Sequence, residues 1–197
     1  MTRFAPASID RRDVLAQLFP DAADWLFVSG LAGAAKDTAA LTDDGPNLYS
    51  MAGTMGAAVP MGLGLAVSAP ERRVAVITGD GELLMGIGAL VTVASAGPAN
   101  LTIVCLDNSM HGETGGQQGH TAATADLEMI GKGSGIASTL TISEPGQVDE
   151  ARGFITDAPG PRLLVVRVMP TAPSAYKRNM DPASTRVRFR QGLLGKV

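Results

Sequence analysis

Two short apolar segments joined by a helix-like segment constrain the fold of this chain most strongly. Residues 73–78 are rich in β-branched side chains and lead into Gly79-Asp80-Gly81, while residues 101–106 lead into Asp107-Asn108. The pattern between them predicts a helix from Glu82 to about Ala94. Continuous apolar strands joined by a helix are typical of a right-handed βαβ unit in a parallel sheet. The chain is therefore predicted to be an α/β domain of three layers, with a central parallel sheet flanked by helices.

Other segments extend this alternation of helices and strands. Apolar spacing, turn residues and capping residues indicate their positions. The predicted helices follow Asp10 and Pro145 and cover residues 34–41 and 126–131, and the predicted strands cover residues 25–28, 139–142 and 163–168.

Composition and charge fit one globular domain with a distinct C-terminal end. The chain has 197 residues and a net charge of -3, which gives no general reason to expect nucleic-acid binding. Residues 1–170 are assigned to the domain and residues 171–197 to a basic tail, which has six Lys or Arg residues against Asp181. The tail is interpreted either as a solvated segment or as an arm that packs on an acidic neighbour or reaches an anionic ligand.

Cysteine content and the N-terminal sequence favour a cytoplasmic protein. The single cysteine, Cys105, lies in an apolar run and excludes an intrachain disulfide framework, and the first residues lack the apolar core of a signal peptide. The uncharged stretch 45–70 has the length of a membrane span, but glycines and Pro60 interrupt it. A buried Gly/Ala-rich helix that allows close backbone approach is the preferred interpretation, with no membrane association.

Asp80 and Asn108 are candidate metal ligands. Both follow strand ends of one βαβ unit, and ligands of open parallel sheets bind outside the carboxyl ends of the strands. Carboxylate and amide oxygens suit Mg²⁺ or Ca²⁺ rather than zinc. The glycines at 79 and 81 allow a tight turn, and the helix that follows offers free N–H groups to an anion. The pattern predicts a metal bound together with a diphosphate.

The segment from Gly79 to Asn108 resembles the motif of thiamine-diphosphate-binding enzymes. In both, Gly-Asp-Gly is followed at a similar distance by a terminal Asn, which here comes after 26 intervening residues. The resemblance implies thiamine diphosphate as cofactor, with Asp80, Asn108 and the backbone oxygen of Met110 as metal ligands. The family often has Asn before the ligand Asn, whereas this chain has Asp107.

An upstream segment resembles the same family. Gly53-Thr54-Met55-Gly56 is similar to its Gly-Ser-Met-Gly segment, in which an apolar side chain wedges under the cofactor and holds it bent. Gly53, Thr54 and Met55 are thereby implied to contact the cofactor, with Met55 as the wedge. Taken alone, Met55 is better interpreted as a core residue, and the presence of both motifs reverses this preference in favour of the wedge.

The segment 107–117, which ends in Thr-Gly-Gly-Gln, resembles phosphonopyruvate and sulfopyruvate decarboxylases. The resemblance to the sulfopyruvate decarboxylase β subunit runs from about Asp10 to Val168. It implies decarboxylation of a 2-oxo acid that carries an anionic group at C3, sulfopyruvate first and phosphonopyruvate second. Another thiamine-dependent lyase, carboligase or oxidoreductase subunit, or a non-catalytic cofactor-binding subunit, is the alternative.

Glu82 and the two histidines call for separate interpretations. The family usually carries Ser or Ala after Gly-Asp-Gly, so Glu82 is a departure, interpreted mainly as a capping charge beside the diphosphate. His111 follows the ligand loop and is a candidate proton donor or anion contact, or else a surface residue. His120 is interpreted as structural.

The resemblance also implies a partner. Thiamine catalysis needs a glutamate that this family supplies from a separate pyrimidine-binding domain, and residues 1–170 are assigned wholly to the diphosphate-binding unit. A pyrimidine-binding α subunit is therefore expected, with the active site between the chains in an α2β2 or larger assembly.

Overall fold

The computed structural model describes residues 6–195. The strands are β1 (Trp25–Ser29), β2 (Leu48–Ser50), β3 (Arg73–Gly79), β4 (Leu101–Asp107), β5 (Met110–His111), β6 (Gln117–Gln118), β7 (Ser138–Ile142) and β8 (Arg162–Arg167). The helices are α1 (Arg11–Leu18), α2 (Ala32–Thr42), α3 (Ala58–Ser68), α4 (Asp80–Met85), α5 (Ala89–Ala96), α6 (Leu127–Gly133), α7 (Val148–Asp157) and α8 (Pro182–Leu194).

Six strands form one parallel sheet in the order β2-β1-β3-β4-β8-β7, and β5 and β6 form a separate antiparallel hairpin. Successive side chains of a strand point to opposite faces. In β3, Ala75 and Ile77 join a core with α1, α2 and α7, while Val74 and Val76 join a core with α3, α5 and α6. The prediction of three layers around a central parallel sheet is confirmed.

The segment after β3 was predicted to be one helix, but it forms two. The chain leaves helical geometry after Met85 and resumes at Ala89, so two short helices replace one. A Cβ added at Gly86 would lie 2.2 Å from the backbone oxygen of Gly56. This close backbone approach holds the Met55–Gly56 loop against the break between α4 and α5, and only glycine allows it.

Helix α3 is only partly the buried helix that its sequence predicts. Gly62 packs so tightly on β3 that a Cβ there would lie 2.1 Å from Val76 Cγ2. Its glycine therefore serves helix–sheet packing, while Met61 and Val67 on the same helix are exposed. Among the described residues, no helix is both long and apolar enough to cross a membrane.

The basic C-terminal segment lies along the edge of the sheet. Phe189 of α8 packs edge-to-face on Tyr49 of β2, with ring centroids 5.6 Å apart. Arg188 bonds Asp44 at 2.9 Å, and the Tyr176 hydroxyl donates to Asp43 at 2.8 Å. The segment thus packs on an acidic neighbour and covers edge strand β2, which protects its unpaired backbone.

Candidate cofactor site

The predicted ligand positions meet at one edge of the sheet. Strands β3 and β4 are adjacent and parallel, with Gly79 paired to Leu106, so Asp80 and Asn108 both follow strand ends at the carboxyl edge. They line a cavity of about 690 Å³, within the range of cofactor sites. The predicted site residues that line it are Met55, Gly79, Asp80, Gly81, Glu82, Asn108, Met110 and His111. Gly53 and Thr54 lie in the exposed loop before Met55 and do not line it.

Asp80 lies in an environment that disfavours its own charge. It is 3% exposed, and burial followed by the charge of Asp107 raises its pKa from 3.8 to about 6. The Thr121 hydroxyl lies 3.2 Å from Asp80 Oδ2 and 2.7 Å from Asp107 Oδ1. One hydroxyl proton cannot be donated to both carboxylates, and the nearby cation Arg167 lies 3.9 Å from Asp107 Oδ2.

Asp107 shapes the loop that carries the other ligands. It accepts hydrogen bonds from the Ser109 backbone N–H at 2.9 Å and from the Ser109 hydroxyl at 3.2 Å. Ser109 has a φ of +58°, a left-handed conformation that these bonds help to hold. Asn108 Oδ1 accepts from the Met110 N–H at 3.2 Å. These hydrogen bonds fix the backbone of the loop, which places Asn108 and Met110 in the cavity wall.

The two histidines lie edge-to-face at the cavity, with an angle of 78° between their rings. His111 covers Gly81, where a Cβ would lie 3.0 Å from its Nδ1, and the His120 ring centroid is 6.2 Å from that of His111. His120 is exposed and lines the cavity, and its interpretation as a structural residue stays a prediction. The β5–β6 hairpin carries His111, and a helical turn after it carries His120.

Glu82 lies in the first turn of its own helix, where a capping charge is expected, and its side chain also bonds a second segment. Its Oε2 accepts a hydrogen bond of 3.0 Å from the backbone N–H of Leu31, which precedes α2. Burial raises the pKa of the Glu82 carboxyl. The side chain crosses the cavity wall to a second helix, a contact that no local sequence pattern indicates.

Two further residues lie at the site although no sequence pattern predicts them there. Arg11 is 5% exposed, lines the cavity and donates from Nε to Asp37 at 2.7 Å. A Cβ at Gly33 would lie 2.2 Å from an Arg11 Nη, so the guanidinium passes directly under the first turn of α2. Thr121 bridges the two carboxylates. Both positions depend on contacts across the fold rather than on neighbours in sequence.

Comparison with known protein families decides the class of this site. Residues 34–166 match the model of the thiamine pyrophosphate enzymes, C-terminal TPP binding domain. The chain belongs to this family. Its cavity therefore lies in a TPP-binding domain, and Asp80 and Asn108 fall within the matched region.

Relatives of this TPP-binding domain include decarboxylases. The chain is 32% identical over 168 residues to the sulfopyruvate decarboxylase subunit beta of Methanocaldococcus jannaschii, covering 85% of this chain and 88% of that protein. It is 33% identical to the phosphonopyruvate decarboxylase of Streptomyces viridochromogenes, covering 93% of this chain but 45% of that protein. The chain thus spans most of the first relative and less than half of the second.

A solved structure supports the fold. A protein from Mycobacterium smegmatis that is named as a putative thiamin diphosphate-dependent enzyme matches with a TM-score of 0.63 and 22% identity. The match covers 81% of this chain and 31% of that one. At this identity the similarity establishes the shared fold of the TPP-binding domain.

The cavity fits the cofactor of a TPP-binding domain. A Cβ added at Gly79 would meet no atom within 4 Å, so the backbone of the Gly-Asp-Gly turn borders open space. Asp80 and Asn108 supply hard oxygen donors beside it. Met55 lines the same cavity and is 39% exposed, which is not the burial of a core residue.

Proposed function

We propose that this chain is the β-type subunit of a two-chain thiamine-diphosphate-dependent decarboxylase that converts sulfopyruvate to sulfoacetaldehyde and CO2. The observation that carries the proposal is the similarity, over 88% of its length, to a protein named sulfopyruvate decarboxylase subunit beta. The Asp80–Asn108 cavity supports it, because a subunit that had lost turnover would not need to keep these ligands.

Mg²⁺ is the proposed metal. Asp80 would contribute a carboxylate oxygen, Asn108 its amide oxygen and Met110 its backbone oxygen. The raised pKa of Asp80 supports this role, because a bound cation would compensate the buried charge. Such a hard divalent ion also suits the phosphate oxygens of the cofactor.

The bound cofactor would supply an electron sink for cleavage of the bond between the 2-oxo carbon and the carboxylate. The backbone of Gly79 leaves space for the diphosphate, and the Met55 side chain would support the cofactor from below. His111 would present an imidazole N–H from the cavity wall, as proton donor or as anion contact. The apolar walls would limit the access of water.

The proposed substrate is a small 2-oxo acid with an anionic group at C3. Among the described residues that line the cavity, Arg11 is the one Lys or Arg. Asp37 holds it at the start of α2, where helix N–H groups also favour anions. Phosphonopyruvate is the second candidate, because the chain is also 33% identical to a phosphonopyruvate decarboxylase.

A pyrimidine-binding α subunit is the proposed partner and would supply the activating glutamate. We define the methionine surface as Met55, Met85 and Val91, which are 39–67% exposed. Met55 and Met85 line the cavity, and residues 83–100 carry no charged side chain. An exposed apolar surface at the cavity suits a protein interface. We also propose that the two chains form an α2β2 or larger assembly. The proposed location of this assembly is the cytoplasm.

Co-purification of the complex from its native host, followed by measurement of CO2 release, tests the substrate. We expect turnover of sulfopyruvate to exceed that of phosphonopyruvate, with little turnover of pyruvate. A preference for pyruvate would contradict an anionic group at C3. The Asp80→Ala complex is the matched control and is expected to release no CO2 above background.

A further inference from the structure

The Glu82 carboxylate joins two turns that are distant in sequence. Glu82 lies in the first turn of α4, directly after Gly79-Asp80-Gly81, and its Oε2 accepts from the Leu31 N–H at 3.0 Å. Helix α2 has no side-chain cap from its own N-cap residue. Glu82 therefore satisfies the N–H of the N-cap residue of a neighbouring helix, a role that a glutamate at position N3 of the same helix fills in a capping box.

Gly30 leaves room for this contact. A Cβ added at Gly30 would lie 1.7 Å from Glu82 Oε2 and 2.2 Å from its Cδ. Gly30 does not have a positive φ, so the backbone itself would accept alanine without strain. The requirement for glycine here is one of space, and it exists because Glu82 occupies that space.

The Glu82 carboxylate is buried in this contact with Leu31. Glu82 is 4% exposed, and its Oε1 makes no hydrogen bond with any described residue. Burial of this carboxylate costs folding free energy. Both turns that Glu82 joins line the cavity, through Leu31 and Gly33 on one side and Gly79 and Gly81 on the other.

We propose that Glu82 is a positioning residue that fixes the separation of the two turns on either side of the cofactor cavity. This inference rests on the proposed function, since thiamine diphosphate is the ligand that the cavity would hold. A cavity wall that is already ordered before the ligand binds loses less conformational entropy on binding. Glu82 acts through Leu31 and Gly30 and does not need to touch the cofactor.

The Gly30–Glu82 contact is tested first, without any ligand. Gly30→Ala in the full chain is expected to lower the melting temperature by roughly 5 °C, because the added methyl group displaces the carboxylate. Combining it with Glu82→Ala is expected to remove most of that loss. A double variant as unstable as the sum of the two single variants would overturn the contact.

Cofactor binding then separates positioning from structural support. In the native complex with Mg²⁺, Glu82→Ala is expected to raise the Kd of thiamine diphosphate about tenfold and to speed hydrogen exchange at the Leu31 amide. Glu82→Gln keeps an acceptor and is expected to rescue most of the affinity. Glu150→Ala, which removes an exposed carboxylate on α7, is the control.

The outcomes distinguish this inference from the proposed function. Faster exchange at Leu31 with an unchanged Kd would overturn positioning, since Glu82 would then cap α2 without affecting the cavity. A Glu82→Gln complex as weak as Glu82→Ala would also overturn it. Failure of the unaltered complex to bind thiamine diphosphate would instead contradict the proposed function. The melting temperatures of the Gly30→Ala and Glu82→Ala variants would still test the Gly30–Glu82 contact.

Discussion

The Thr121 hydroxyl donates a hydrogen bond of 2.7 Å to Oδ1 of Asp107. The same hydroxyl is 3.2 Å from Asp80 Oδ2, so it lies between the two buried carboxylates at the proposed metal site. Asp107 also holds the Ser109 turn that leads to Met110. A single hydroxyl thereby connects the carboxylate after β3 with the loop after β4.

Removal of this hydroxyl is expected to affect both folding and binding. Thr121→Val keeps the shape and leaves Asp107 without its closest donor, which should cost about 1–3 kcal/mol in the free energy of unfolding. Mg²⁺-dependent binding of thiamine diphosphate should weaken as well. Urea unfolding and calorimetry measure the two effects. Thr121→Ser, which keeps the donor, is the control, and an equal loss in both variants would contradict a role for the hydroxyl.

The raised pKa of Asp80 predicts how metal-free stability depends on pH. The folded chain keeps the Asp80 proton up to about pH 6, whereas the unfolded chain releases it near pH 4. Asp80 should therefore reduce stability as the pH rises through this window, by about 2–3 kcal/mol in total. Asp80→Asn should flatten this dependence and abolish stabilisation by Mg²⁺. Thermal unfolding between pH 4 and 7, with and without Mg²⁺, measures both, and an unchanged slope in the variant would contradict the assignment.

Met55 and Met61 form a matched pair for testing the cofactor wedge. Both are 39% exposed, so either change to alanine should alter the free energy of unfolding by less than about 1 kcal/mol, well below the 2–5 kcal/mol of a core methionine. Met55→Ala should lower kcat of the complex at least tenfold because the cofactor loses its support, whereas Met61→Ala should not. Steady-state CO2 release decides between them. Equal kcat values would show that Met55 does not contact the cofactor.

The ion pair of Arg11 and Asp37 is expected to stabilise the fold at the cavity. Asp37→Ala leaves a buried guanidinium unpaired and also removes the acceptor of the Ser174 N–H, so a loss of about 3–5 kcal/mol is expected. Asp149→Ala breaks the exposed pair with Arg152 and should cost less than about 1 kcal/mol. Denaturant unfolding of both variants makes the comparison. Similar losses would contradict the structural importance of the buried pair.

The sequence allowed the architecture and the ligand loops to be predicted, because those features are local. The apolar strands before Asp80 and Asn108 place both residues at one sheet edge, and the turn residues mark where each strand ends. Capping by Asp10 was equally predictable, since its side chain bonds the backbone two residues ahead.

The remaining features depend on contacts across the fold. The break at Gly86 arises from the approach of Gly56, which lies 30 residues earlier. Glu82 has the sequence position of a helix-capping charge but reaches Leu31 of another turn. Arg11 and His120 reach the cavity, and Thr121 reaches the two carboxylates, through the packing of α1 and the loop after β6. No periodicity or motif specifies these positions.

We expect the chain to need a second subunit for activity. The rate of decarboxylation by the purified chain measures this requirement. CO2 release from sulfopyruvate is measured with thiamine diphosphate and Mg²⁺, for this chain alone and after addition of the co-purified partner. We expect no turnover above background from the chain alone and restored turnover in the mixture, because the activating glutamate would come from the partner. Full turnover by the chain alone would contradict the two-subunit account.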